Sequence, residues 1–206
     1  MFITFEGPEG SGKSTQLPVL AEYLQEIGYD VICTREPGGT DIGNQIREVL
    51  MRMDNVGLHP RTEILLFLAA RAQLVVELIK PSLAQGKIVL CDRYGDSTLA
   101  YQGYGHGLDL EVLRSMLQFA TGGLKPDLTI LLDVDVPTGL KRKKIIEEWN
   151  RLDAFELSFH ERVRAGYHIL AEQEPERRKV VDASESSAQV KAQIRNLVMD
   201  KLAQQA

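Results

Sequence analysis

The sequence predicts an α/β fold, a three-layer sandwich around a five-stranded parallel sheet. Short apolar, β-branched runs alternate with longer helical stretches over 206 residues. The apolar runs are continuous rather than period-two, the pattern of strands covered on both faces. A glycine-rich turn at 7–14 joins the first run to the first helical stretch. Alternation of this kind implies βαβ units with helices on both sides of the sheet.

The strands are expected at 2–6 (FITFE), 30–34 (DVICT), 87–92 (KIVLCD), 127–133 (DLTILLD) and 178–182 (RKVVD). The helices are expected at 13–27, 40–52, 60–80, 109–121, 137–149, 154–173 and 186–204. Pro18 lies deeper in the first helix than proline prefers, so a local irregularity is expected there. The stretch RTEILLFLAARAQLVVELIK is apolar around most of its circumference. Such a helix is buried on more than one side, deep in the monomer or partly against a second subunit. The chain shows no internal repeat, low-complexity tract or linker, and reads as a single domain over 1–206.

Composition narrows the class. With 44% hydrophobic and 26% charged residues, the chain is an ordinary globular sequence. A net charge of -5 argues against a general nucleic-acid binder, which carries a basic surface. A small anionic substrate needs only a few local cations. Cys33 and Cys91 each sit in an apolar run and read as small buried hydrophobes in a reducing compartment. No apolar stretch approaches the ~18 residues of a membrane span. MFITFEG enters a strand directly rather than reading as a signal peptide, which leaves the cytoplasm as the expected location.

Residues 7–14, GPEGSGKS, match G-x-x-x-x-G-K-[ST] between a strand and a helix. Glycines there let successive backbone N–H groups turn toward phosphate oxygens, and the helix N-terminus adds partial positive charge. Lys13 can reach the β- and γ-phosphates, and the Ser14 hydroxyl can hold Mg²⁺. The loop alone means nucleotide binding. A GTPase would need an N-K-x-D motif, whereas NRLD at 150–153 lacks the lysine.

A second anion site is expected at the carboxyl ends of neighbouring strands, which face the ligand crevice of such sheets. Asp92 is placed there to bind Mg²⁺ through water, and Arg93 to grip an anion. TREPGGT at 34–40 supplies another close-approach turn and Arg35. Asp133 ends the fourth strand and reads either as structure or as a further polar contact. The segment KRKKIIEEWNRLD at 141–153 reads as a solvated helix end or as a phosphate-facing lid. Two anion loops beside one nucleotide loop suit a phosphoryl acceptor that is itself a phosphate, where positioning and charge neutralisation matter most.

Taken together, FEGPEGSGKST at 5–15, TREPGGT at 34–40, LLFLAARAQ at 65–73, DRYGDSTLAYQG at 92–103, PDLTILLDV at 126–134, and NRLD with FHERVRAGY within 150–167 resemble the bacterial thymidylate kinases. The resemblance implies a P-loop fold of the nucleoside monophosphate kinase type. It also implies transfer of phosphate from ATP to dTMP with Mg²⁺, a homodimer, and a role in dTTP synthesis. It implies ATP contacts from Gly7, Pro8, Glu9, Gly10, Ser11, Gly12, Lys13, Ser14, Thr15 and Arg142. It implies dTMP contacts from Glu9, Arg35, Glu36, Pro37, Phe67, Arg71, Arg93, Ser97, Thr98, Tyr101 and Gln102.

Within that set, the resemblance implies that Phe67 stacks on thymine, Arg71 bonds its O4, and Thr98 lies near N3. Tyr101 would crowd the 2′ position, and Arg93 would bind the acceptor phosphate. Lys13, Glu9, Arg93 and a lid arginine, Arg151 with Arg142 as the alternative, would carry catalysis; Ser14 and Asp92 would hold the metal. The chain departs from the family at Ala70, where an acidic residue is frequent, and in the lid, where NRLD replaces an Asp-Arg opening that ends in Glu. Spacing agrees at one point. Phe67 and Arg71 are four residues apart and share a helix face, where a ring and a donor can stack on a base and read its edge.

Overall fold

The computed structural model describes residues 1–146 and 149–204. Five parallel strands form one sheet: β1 (Phe2–Glu6), β2 (Val31–Arg35), β3 (Ile88–Asp92), β4 (Leu128–Asp133) and β5 (Arg178–Asp182). Their spatial order is β2-β3-β1-β4-β5. β1 is central and buried along its length. Its register sets Phe5 against Asp92 and Glu6 against Leu131, while Arg35 faces Asp92 and Asp133 faces Asp182. The carboxyl ends of all five strands therefore open on one edge.

Alternate residues of β1 feed opposite faces, as strand geometry requires. Ile3 and Phe5 pack with Leu17, Leu20 and Leu24 of α1 (Lys13–Glu26) and with Val190, Ile194 and Val198 of α9 (Ser187–Ala203). Phe2, Val89 and Cys91 pack on the other face against Leu74, Val75 and Ile79. Each fully buried Leu or Phe in these layers contributes about 1.5–3 kcal/mol. Cys91 is buried as expected, but Cys33 is exposed. β2 is an edge strand in which only Val31 is buried, so an apolar run in sequence did not mean cover on both faces.

The helices depart from expectation where tertiary contacts decide. α1 runs unbroken through Pro18, which is exposed, so its ring displaces no packed neighbour and the expected irregularity is absent. α2 spans Asp41–Met51, with the Thr40 hydroxyl accepting from Gly43 N at 3.0 Å. The expected helix 60–80 is three pieces: α3 (Pro60–Leu74), a π turn (Val75–Ile79) and α4 (Lys80–Ala84). Pro81 has no N–H for the next turn, and the widened turn ahead of it makes room for its ring. A helix outside the expected set follows β3: α5 (Gly95–Thr98) runs into a π turn (Leu99–Gly105).

α6 spans Leu110–Thr121, α7 Val136–Ile146 and α8 Leu157–Gln173. Residues 147 and 148 of the expected helix 137–149 lie outside the described residues. Residues 151–154 form a 3-10 turn capped reciprocally by Asn150 and Asp153, so α8 begins later than expected. Among the described residues no helix is long and apolar enough to cross a membrane.

Candidate active site

The phosphate loop lies between β1 and α1. Gly12 caps α1 in the left-handed region (φ 93°), and a Cβ there would meet nothing within 4 Å, so its side faces open space. Gly10 (φ 65°) is needed for a different reason. A Cβ on it would fall 1.9 Å from the carbonyl oxygen of Gly139 in α7. Lys13 Nζ curls over the loop and donates to Gly7 O (3.1 Å), Pro8 O (2.9 Å) and Ser11 Oγ (3.2 Å). Burial, and then repulsion from Arg93, lowers the Lys13 ammonium to about 8.

Glu9 is the hub between the loop and the second anion site. It accepts from Arg93 Nη2 at 2.6 Å and Tyr101 Oη at 2.8 Å, both at Oε1, while Lys143 Nζ stands 3.7 Å from its Oε2. Burial alone would raise this carboxyl. Arg93, Lys13 and Lys143 overcome burial and hold it at about 2. Arg93 follows β3 in the left-handed region (φ 69°), which a residue with a Cβ seldom occupies. The two hydrogens of its Nη1 are shared among Gly7 O (3.1 Å), Ser97 Oγ (3.3 Å) and Tyr167 Oη (3.2 Å).

At the far end, Arg71 of α3 is 1% exposed. It donates from Nε to Glu36 Oε2 (2.7 Å), from Nη1 to Thr98 Oγ1 (2.8 Å) and from Nη2 to Tyr94 O (2.9 Å). Burial works against its charge, and Glu36 more than offsets it, so the guanidinium stays charged. The fork has five N–H groups, and Nη2 also meets Glu36 Oε2, so the remaining Nη1 hydrogen is the one left for a ligand.

One cavity of about 420 Å³ joins these parts. Of the residues singled out in the sequence, Glu9 to Thr15, Arg35 to Pro37, Phe67, Arg71, Asp92, Arg93, Ser97, Thr98, Tyr101, Gln102 and Arg142 line it. Gly7 and Pro8 lie beneath and give their carbonyls to Lys13. Arg151 is placed elsewhere. It is 5% exposed, donates from Nε to Leu50 O (2.9 Å) and from Nη2 to Glu63 Oε2 (2.6 Å), and is not among the residues that line the cavity. The expected lid arginine is therefore a buried ion-pair partner here. The capping box of 150–153 turns Asn150 and Leu152, not Arg151, to the cavity.

Sequence reasoning missed Arg47, whose Nη1 donates to Pro37 O at 3.0 Å, and the strip from Ala183 to Val190 after β5. The signal for Arg47 was available. Asn44 and Arg47 are three apart on α2, and Asn44 Oδ1 accepts from Gly39 N at 3.1 Å, so that helix face lies over TREPGGT.

Asp92 Oδ1 is buried without a hydrogen-bond partner, and Asp92 and Ser14 line the same cavity. Among the described residues no three His, Cys, Asp or Glu side chains converge as a metal cage. One carboxylate and one hydroxyl beside a phosphate loop suit Mg²⁺, which keeps waters and takes the rest of its shell from phosphates. Asp133 is committed to structure, with Arg164 bound bidentately at 2.8 and 2.7 Å and His168 Nε2 at 3.1 Å.

A phosphate loop at the end of a central parallel strand, sharing its cavity with a second cationic pocket, defines the class: a P-loop α/β protein of the nucleoside monophosphate kinase type. The family model described as thymidylate kinase matches residues 5–194. A thymidylate kinase of Roseiflexus castenholzii is 53% identical over 98% of this chain and 94% of its own length, and one of Desulfovibrio desulfuricans is 52% identical over 96% and 94%. The crystal structure of thymidylate kinase from Ehrlichia chaffeensis superposes with a TM-score of 0.79 at 39% identity, covering 97% of this chain and 98% of that one. The chain belongs to the thymidylate kinase family.

Proposed function

We propose that this chain transfers the γ-phosphoryl group of ATP to the 5′-phosphate of dTMP, giving dTDP and ADP, as a step toward dTTP in the cytoplasm. The observation that carries the reading is the single cavity in which Lys13 and Arg93 flank Glu9. Two cations on either side of one anchor suit two phosphates held end to end, where catalysis is positioning and neutralisation.

On this reading the loop amides and Lys13 hold the donor phosphates. Arg93 holds the acceptor phosphate, and Glu9 fixes Arg93 in place. Ser14 and Asp92 would hold Mg²⁺, whose chemistry there would be charge neutralisation of the phosphates. Arg142 and Lys143 line the cavity and take the lid-cation role expected of Arg151. The Ala183–Val190 strip beside Arg142 suits the donor base. Phe67 offers a face for the acceptor base, and Arg71 and Thr98 meet its edge. Tyr101 Oη is tied to Glu9 and so stands against the sugar, where a 2′-hydroxyl would crowd it.

Exposed Leu65 and Val76 in and after α3, with Val112 and a 91% exposed Phe119 on the adjoining α6, support a homodimer through that face. Light scattering that gave a monomer at micromolar concentration would count against it.

An ADP-release assay across dTMP, dUMP, UMP, dCMP and AMP tests the function. The expected order is dTMP, then dUMP, with UMP and dCMP far behind. The dTMP–dUMP gap is modest, since one methyl in an apolar pocket gives roughly 1–3 kcal/mol. Slow hydrolysis with no acceptor stimulation would point instead to a nucleotide-switched protein.

A further inference from the structure

Glu6 ends β1 directly under the acceptor cation and is 1% exposed. Its Oε1 accepts from the backbone N–H of Tyr94 (2.8 Å) and Ser97 (3.3 Å). Its Oε2 accepts from Ser97 Oγ (2.5 Å) and Tyr167 Oη (3.0 Å). Those two hydroxyl oxygens are the ones that accept from Arg93 Nη1. We infer that Glu6 is a positioning residue for the acceptor phosphate: its ionised carboxylate takes the Ser97 and Tyr167 hydroxyl protons, leaving both oxygens to aim Arg93. The inference rests on Arg93 being the cation for that phosphate.

The proton count carries it. Ser97 and Tyr167 have one O–H each. If both oxygens accept from Arg93, both protons must point elsewhere. Either each hydroxyl donates to Glu6, or one donates to the other across their 2.8 Å contact and that other donates to Glu6. Both arrangements end on an ionised carboxylate. When Glu6 is protonated, Oε1 still accepts from two amides, so the proton sits on Oε2 and becomes a donor. Oε2 then donates to one hydroxyl instead of accepting from both, so the carboxylate no longer fixes the two hydroxyl protons away from Arg93 and its contacts with Ser97 and Tyr167 weaken. The same carboxylate steadies the backbone, because the Tyr94 N–H that it binds directly follows the left-handed Arg93.

The change falls in the neutral range. Burial, then Asp96, raises the Glu6 carboxyl against the pull of Ser97, Arg93 and Tyr94, to about 7. The charged and titratable groups that face it are Asp96 of α5, Lys13 of α1, Arg71 of α3, Tyr167 of α8, and Cys91, Arg93 and Tyr94 at the end of β3.

The test is kcat/KM for dTMP at saturating ATP and Mg²⁺ from about pH 5.5 to 8.5, a quantity that reports ionisations of the free enzyme. The proteins compared are the unmodified chain, Glu6→Gln, Tyr167→Phe and Arg93→Ala. Glutamine keeps an oxygen for the two amides and puts N–H donors where Oε2 accepted, so it imitates the protonated state. The ratio of unmodified to Glu6→Gln should grow from near one at the acid end to about tenfold at the alkaline end, the loss of roughly one hydrogen bond. The second ionisation of the dTMP phosphate, near pH 6, is common to both enzymes and cancels in that ratio. A ratio independent of pH would overturn the inference and leave Glu6 a merely structural residue. If Glu6→Gln does not fold, Tyr167→Phe decides: a several-fold loss that shrinks toward acid pH supports the inference, and a pH-independent loss or none defeats it. Unimpaired kcat/KM in Arg93→Ala would sink the prior assignment of Arg93 instead.

Discussion

The two ends of the cavity are built from different materials. The donor end is mostly backbone: glycines in a tight loop, a helix N-terminus, and a lysine whose partners are carbonyls and a hydroxyl of its own loop. The acceptor end is mostly side chain, and two of its cations arrive already paired. Arg93 is bound to Glu9 and Arg71 to Glu36, and behind the cavity wall Arg151 is bound to Glu63. The difference bears on robustness. A backbone cradle loses one contact when one side chain is cut. A buried pair loses its neutrality, because the remaining partner keeps its desolvation cost without its counter-charge.

The largest effect expected from that contrast is on stability. Arg151→Ala leaves buried Glu63 without its arginine, with only Gln102 Nε2 (2.8 Å) and His106 Nε2 (3.3 Å) at Oε1, and should cost about 3 kcal/mol in chemical denaturation. An unchanged midpoint would show that the acceptor wall is not charge-coupled. At the donor end, Lys13→Ala should keep the fold and lower turnover by roughly 10²–10³-fold, since its charge acts on the transferring group. Near-native turnover in the folded variant would break the comparison from the other side. Arg71→Ala should erode discrimination between dTMP and dCMP by roughly ten- to hundredfold, the worth of a good edge contact. Arg71 has only donors, which suit the thymine O4 and not the cytosine amino group. Measured kcat/KM ratios that stay put would remove Arg71 from base selection.

The smallest effect separates two carboxylates that share Lys143. Glu9 is held at about 2, whereas burial, then Glu9 itself, raises Asp153 to about 6. A folded value above the unfolded one means that the contribution of Asp153 to stability is fully present below about pH 4. It is lost as pH rises through about 6. Asp153→Asn keeps an acceptor for the Asn150 N–H and should be about 1–2 kcal/mol more stable than the unmodified chain at alkaline pH. That advantage should vanish in acid. A constant gap across pH would mean that the two carboxylates are not distinguished by their surroundings.

What sequence could reveal follows the same division. GPEGSGKS and the ends of β1 and β3 are contiguous, so strand, loop and helix were legible together. Phe67 and Arg71 were legible because one helix turn relates them. Glu36 as the partner of Arg71, Glu63 as the partner of Arg151, and Glu6 under Arg93 were not legible, because each pairing crosses between elements that only the folded sheet brings together. The order of the strands was likewise hidden, and with it the edge position of β2 that leaves Cys33 exposed. The helix after β3 was not legible, because glycine is a poor helix former and Gly95, Gly103 and Gly105 all fall in it, yet packing at Gly103 and Gly105 favours small residues. A Cβ would come within 2.4 Å of Leu110 at one and 2.6 Å of Phe159 at the other.

Gly10 and Gly139 meet backbone to backbone, with a Cβ on Gly139 falling 2.2 Å from Glu9 O. The base of α7 is thus moulded to the phosphate loop rather than hung beside it. A chimera that exchanged residues 136–153 with a relative carrying any side chain at position 139 would prise the loop from its helix. The unit of exchange for engineering new donor preference is therefore the two segments together, cut from one parent.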